Sequence, residues 1–144
     1  MRQSSPTPAA SMELEMKNME LKVGDKLKIK GMILHDADRF QIDLGCNRED
    51  IALHLNPRFN DDLDGTVLVF NSMTAGCWGD EKREMLNTLQ KGSEVKIVVK
   101  FSGDMFEVEL PDEQEVQFPN REDMNLINYL RIRGDFKLVS FKIC

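Results

Sequence analysis

A chain of 144 residues can bury about two-thirds of its unfolded surface, enough for one domain with its own core. Its formal net charge of −6 argues against a nucleic-acid or anionic-membrane partner, since both reward a basic surface. No apolar run approaches membrane-spanning length, and the N-terminus has no apolar segment of the kind a secretory signal carries.

Residues 1–11, rich in Ser, Thr, Pro and Ala, read as a mobile tail, leaving 12–144 as the domain. From there short alternating apolar runs, broken by Gly, Pro, Asn and Asp, predict strands near 19–23, 26–34, 39–45, 51–59 and 66–71. Further runs follow near 81–84, 94–101, 104–110, 114–118, 129–133 and 135–143. Only Asn120 to Leu130 suggests a helical turn. The pattern is that of an all-β sandwich.

The segment Ile51 to Phe59 carries most of the information. Successive strand side chains point to opposite faces, so His54, Asn56 and Arg58 project together while Leu53, Leu55, Pro57 and Phe59 face a core. Pro57 cannot donate to a ladder and predicts a strand end, an edge or a bulge. In the next run, Leu68 and Phe70 share one side and Val67, Val69 and Asn71 the other. Trp78 follows, flanked by Gly76 and Gly79, and then Glu81 and Arg83, again two apart. Three neighbouring strands would bring these groups to one wet patch.

A pyranose is a ring of hydroxyls that donate and accept, and charged side chains bond it more strongly than neutral ones. Galactose carries an axial O4, which leaves its opposite C–H face open to an aromatic ring. A site built around one hydroxyl rejects the epimer that misplaces it, because its own polar groups then go unpaired. Taken singly, each residue has a plainer reading. A strand histidine is usually structural, Arg58 and Arg83 could pair with Glu81, Asp62 or Asp64 on the surface, and a tryptophan is usually core. Their joint spacing is what those readings leave unexplained.

Other chemistry falls away. His54 and Cys77 lack an orienting partner for nucleophilic catalysis, and no enzyme activity is expected. Asp61 to Gly65 lacks the spacing and final glutamate of a calcium loop, and neither a His/Cys metal cluster nor a cofactor motif is present. Arg133-Gly134-Asp135 spells an adhesion tripeptide for which chance is the better explanation.

His-x-Asn-Pro-Arg-Phe at 54–59, Asn71, and Trp-Gly-x-Glu-x-Arg at 78–83 together resemble the carbohydrate signature of the galectins. The segments at 19–31, 40–45, 116–121, 127–130 and 134–138 are similar to galectin strands as well. The resemblance implies a jelly-roll sandwich of two antiparallel sheets, binding β-galactoside glycans on glycoproteins or glycolipids without metal. By that likeness His54, Asn56 and Arg58 would bind galactose O4, Asn71 and Glu81 would bind O6, and Trp78 would stack. Arg58, Glu81 and Arg83 would reach a second sugar, with Asp64 buttressing the arginines. Asp62 stands where proto-type members often carry histidine. A relative serving as an intracellular structural or protein-binding module is the alternative.

Three cysteines, Cys46, Cys77 and Cys144, cannot pair completely and read as free thiols, with Cys77 more simply a small buried residue. The chain has no Asn-x-Ser/Thr sequon. Cytosolic synthesis followed by non-classical secretion is expected. In the last run Phe136 and Leu138 fall on one face and Val139, Phe141 and Ile143 on the other. A strand apolar on both sides wants cover on both, which predicts a homodimer through terminal strands.

Overall fold

The computed structural model describes residues 12–144, so the tail expected over 1–11 lies outside the described residues. The strands in chain order are β1 (Met12–Lys22), β2 (Lys26–Ile33), β3 (Phe40–Asn47), β4 (Asp50–Asp61), β5 (Gly65–Thr74) and β6 (Cys77–Trp78). They continue as β7 (Lys82–Glu84), β8 (Glu94–Phe101), β9 (Met105–Glu109), β10 (Glu115–Pro119), β11 (Leu126–Gly134) and β12 (Phe136–Ile143). One sheet runs β1-β11-β3-β4-β5-β6, with β7 also on β5, and the other runs β10-β9-β8-β2-β12.

Alternation explains how the sheets face each other. In β2, Leu27, Ile29 and Ile33 are fully buried, whereas Lys26 and Lys30 are exposed. Across the sandwich Phe40, Ile42, Leu44, Leu55 and Phe70 meet Ile97, Val99, Phe106 and Phe136 in one cluster. Each such side chain contributes about 1.5–3 kcal/mol relative to leaving it in water. Phe40 and Phe136 stack between the sheets, centroids 4.7 Å apart at 19°. Gly31 makes room for this: a Cβ there would lie 2.1 Å from Phe136 Cζ.

Several sequence expectations change. The segment after Asn120 holds no helical turn; the Asn120 side chain closes it by donating to the Gly103 and Met124 carbonyls (2.7 and 2.8 Å), and β11 begins at Leu126. The first strand starts at Met12 rather than near Met19. It escapes a simple alternation because Asn18, at φ 64°, shifts the register between Lys17 and Leu21. Met12, Leu14 and Met16 therefore pack inward before that shift, and Met19 and Leu21 after it.

The terminal strand is not apolar on both faces. A register shift between Leu138 and Ser140 sets Val139 aside as an extra residue. Phe136, Leu138, Phe141 and Ile143 then all face the core, and Val139 alone is exposed. The bulge expected near Pro57 is present, as a register shift between Arg58 and Asp61, but Pro57 marks neither an edge nor a strand end. It pairs with Leu68 in the interior of β4, between β3 and β5.

Candidate functional site

The outer face of the β1-to-β6 sheet carries a row of directly opposed residues. Glu15 pairs with Arg131, Arg131 with Asp43, Asp43 with His54, and His54 with Asn71. The β5 end of that row opens into a cleft of about 390 Å³ lined by Arg39, Gln41, His54, Asn56, Arg58 and Asn71, with Trp78, Gly79 and Glu81. Six of the seven residues predicted from the sequence line it. Arg83 stands behind Glu81 without lining it.

Proline is what positions Asn56. Phe59 N–H donates to the Asp38 carbonyl at 2.8 Å, so by the alternation of an antiparallel ladder Phe40 faces Pro57 as a hydrogen-bonding pair. Pro57 has no N–H to give. The Asn56 Nδ2 donates to the Phe40 carbonyl instead, at 2.8 Å, which turns its Oδ1 toward Arg58 Nε at 2.9 Å. Asn56 is thereby held at both ends of its amide.

The arginines are held by a residue the sequence reading passed over. Asp61 accepts from Arg58 through one oxygen (2.8 Å) and from Arg83 through the other (3.0 Å). These two guanidiniums, Arg58 first, with the Asp64 backbone N–H, hold the Asp61 carboxyl well below the usual carboxylate range. Asp64 contacts Arg83 alone, at 2.7 Å, so it buttresses one arginine and not both. Glu81 accepts from Arg83 Nε at 3.0 Å and lies 3.9 Å from Arg58. Asp62 is exposed and takes no part. The signal for Asp61 was its place three residues beyond Arg58 in the same hairpin.

Trp78 stands half exposed, its ring 4.6 Å from that of His54 and tilted by 51°. Asn71 Nδ2 donates to the Gly79 carbonyl (3.0 Å), and its Oδ1 accepts from the Ser72 N–H and from Arg121. Arg121 in turn lies over the Phe118 ring at 4.6 Å. A Cβ at Gly79 would lie 3.1 Å from Arg121 Nη1, so the glycine leaves space for that guanidinium.

His54 is oriented from behind. Its Nδ1 lies 2.6 Å from Asp43 Oδ1, and a carboxylate can only accept, so Nδ1 carries the proton and Nε2 of the neutral ring is left as an acceptor. Asp43 is fully buried and takes further bonds from Gln41 (2.7 Å) and Arg131 (3.3 Å). Arg131 is distant in sequence, and nothing local in the chain announces the contact.

A larger hollow, about 540 Å³, lies along the same sheet face among Glu15, Lys17, Cys46, Arg48, Asn128 and Tyr129. Its charges close on one another: Arg48 donates to Glu15 at 2.7 Å, and the Tyr129 hydroxyl donates to the same carboxylate. Arg48, then Tyr129, hold Glu15 down to about 2. Burial, then Glu15, pushes the Tyr129 hydroxyl up to about 12. The hollow has no exposed aromatic ring comparable to Trp78.

Cys77 is exposed, as are Cys46 and Cys144, so the expectation of a small buried residue fails; all three are free thiols. Asp135 of the adhesion-like tripeptide accepts from the Asp38 and Arg39 backbone N–H groups (2.9 and 3.3 Å), a structural tie rather than a displayed ligand.

A two-sheet antiparallel sandwich with this polar, tryptophan-walled shelf defines a lectin of the jelly-roll type. Residues 12–143 match the model of the galactoside-binding lectin family, to which the chain belongs: it is a galectin of the proto type and not an enzyme. It is 44% identical to human galectin-2 over 131 residues, 91% of this chain and 96% of that protein. The crystal structure of chicken galectin 2 superposes with a TM-score of 0.87 at 49% identity, covering 94% of this chain and 100% of that one. CG-16, a homodimeric agglutinin from chicken liver, superposes with a TM-score of 0.88 at 36% identity, over 92% and 100% of the chains.

Proposed function

We propose that this galectin binds β-galactosides of the lactose and N-acetyllactosamine type without metal. The observation that carries this is the half-exposed Trp78 ring standing beside His54 and a row of polar groups already fixed by one another. In this reading His54, Asn56 and Arg58 converge on the axial O4 and Asn71 and Glu81 on O6. Arg58, Glu81 and Arg83 reach the second sugar. Metal independence is supported by the carboxylates beside the shelf: Asp61, Asp64 and Glu81 are each engaged by arginine.

Titration calorimetry in EDTA tests the reading, with lactose against cellobiose, whose terminal O4 is equatorial. Heat with lactose and none with cellobiose is expected. No heat at millimolar lactose would favour the intracellular protein-binding alternative.

Cross-linking of cell-surface glycoconjugates by a homodimer is the second part of the proposal. The edge strands β1 and β12 lie side by side, with Leu138 N–H 3.3 Å from Met12 Sδ, so both sheets end at one flank. Pairing across a two-fold axis there would extend both sheets. Two weak, wet sites would then gain from effective concentration on clustered sugars. Sedimentation showing only monomer at tens of micromolar would refute it. Release from the cytosol by a non-classical route completes the proposal, supported by three exposed free thiols suited to synthesis in a reducing compartment. Detection of the full chain in medium from cells with blocked classical secretion tests this last step.

A further inference from the structure

The lysines that look scattered along the sequence collect on one surface, the outer face of the β10-β9-β8-β2-β12 sheet, on the far side of the sandwich from the shelf. Three pairs of them stand directly opposite each other on neighbouring strands: Lys26 with Lys100, Lys30 with Lys96, and Lys28 with Lys142. Lys137 extends the group along β12.

Like charges directly opposed across strands destabilise a sheet. The chain has carboxylates to spare, 25 acidic residues against 19 basic ones, yet it leaves most of these lysines unneutralised. Lys30 lies 3.7 Å from Glu94 and Lys100 lies 2.6 Å from Glu109. Among the described residues Lys26, Lys28, Lys96, Lys137 and Lys142 have no ion-pair partner. The other acids of this face, Glu107 and Glu115, sit with Glu109 on β9 and β10, so the sheet is divided into a basic strip and an acidic border.

We propose that the basic strip is a second binding surface, for a linear sulfated polysaccharide. Strands lie about 4.8 Å apart and alternate residues about 6.8 Å apart along a strand, so ammonium groups recur every ~5–7 Å over a strip three strands wide. That footprint takes one extended polyanion. A bilayer is a plane, and it would bring the acidic border and a molecule of net charge −6 against an anionic surface as well. Duplex nucleic acid meets the same repulsion. The cations of the strip are all lysine, compact point charges on flexible stems, which suits a string of spaced anions along one chain rather than a single group read bidentately. The surface does not depend on what the shelf binds, and one molecule can engage both ligands at once.

The probe is a size-defined heparin dodecasaccharide, titrated with lactose at saturation and salt varied from about 50 to 200 mM. Binding should persist with lactose present, and its log affinity should fall linearly with log salt. The double variant K28E/K96E should weaken it at least tenfold and reduce the salt slope by about two, with lactose retention unchanged. Glu115→Lys, which extends the strip across its border, should tighten it severalfold and keeps the proposal open to test if the double variant fails to fold. Failure of the parent to bind the probe, displacement of the probe by lactose, or equal binding by parent and K28E/K96E would overturn it. So would capture by phosphatidylserine vesicles without capture of the dodecasaccharide.

Discussion

Asp43 Oδ1 lies 2.6 Å from His54 Nδ1 across the β3–β4 ladder, with the Arg131 guanidinium 3.3 Å from the other carboxylate oxygen. The histidine's free nitrogen is thus set by a buried pair that never reaches the cleft. Asp43→Ala removes the partner of His54, Gln41 and Arg131 and leaves Arg131 as an unpaired buried charge, a loss of about 3–5 kcal/mol in urea unfolding. Asp43→Asn is milder for the fold, because an amide still accepts. It can also present its NH2 to His54 and reverse the tautomer, so lactose affinity should fall severalfold in calorimetry while the fold persists.

Trp78 contributes little to the core, being 48% exposed. Trp78→Ala should therefore change unfolding free energy by less than about 1 kcal/mol, yet abolish retention on a lactose matrix. Retention equal to the parent would show that the indole does not meet the sugar.

Asp61 links Arg58 to Arg83, so Asp61→Asn, which weakens both charge-assisted bonds, should lower lactose affinity about tenfold. The arginines depress its folded pKa below the unfolded value of about 3.9. A depressed carboxylate adds stability that is fully present above the unfolded value and is lost as pH falls through the folded one. Stability measured below about pH 4 should therefore drop less steeply in D61N than in the parent.

Val139 is the spare residue that returns Phe141 and Ile143 to the core face. Deleting it leaves Leu138 and Ser140 adjacent and still opposite Gly31 and Lys30, a regular ladder in which Phe141 and Ile143 keep the core face. Thermal and urea unfolding of the deletion variant should therefore stay within about 1 kcal/mol of the parent, well short of the ~2–4 kcal/mol that turning both side chains outward would cost. A Val139→Ser variant, which keeps the spacing, should unfold like the parent.

Much of the fold and shelf was legible because both are written in short periods. His54, Asn56 and Arg58 alternate within one strand, and Trp78, Glu81 and Arg83 follow closely. What was not legible depends on register. The contact of Asp43 with Arg131 exists only because β11 pairs with β3 at one offset. The bulges at Asn18 and Val139 each reverse the inward face halfway along an edge strand, and no local composition signals them. Pro57 misled only as to edge and end: the missing N–H was real, a neighbouring amide took its place, and the expected bulge follows between Arg58 and Asp61.

Phe40 serves both layers of the sandwich. Its ring leans on Phe136 of the opposite sheet while its carbonyl holds Asn56. A receptor whose contact groups are already clamped to its own scaffold has almost nothing left to rearrange on occupancy. News of a captured glycan cannot travel through such a molecule as a change of shape. On the proposed bivalent reading it is passed on by who is gathered beside whom.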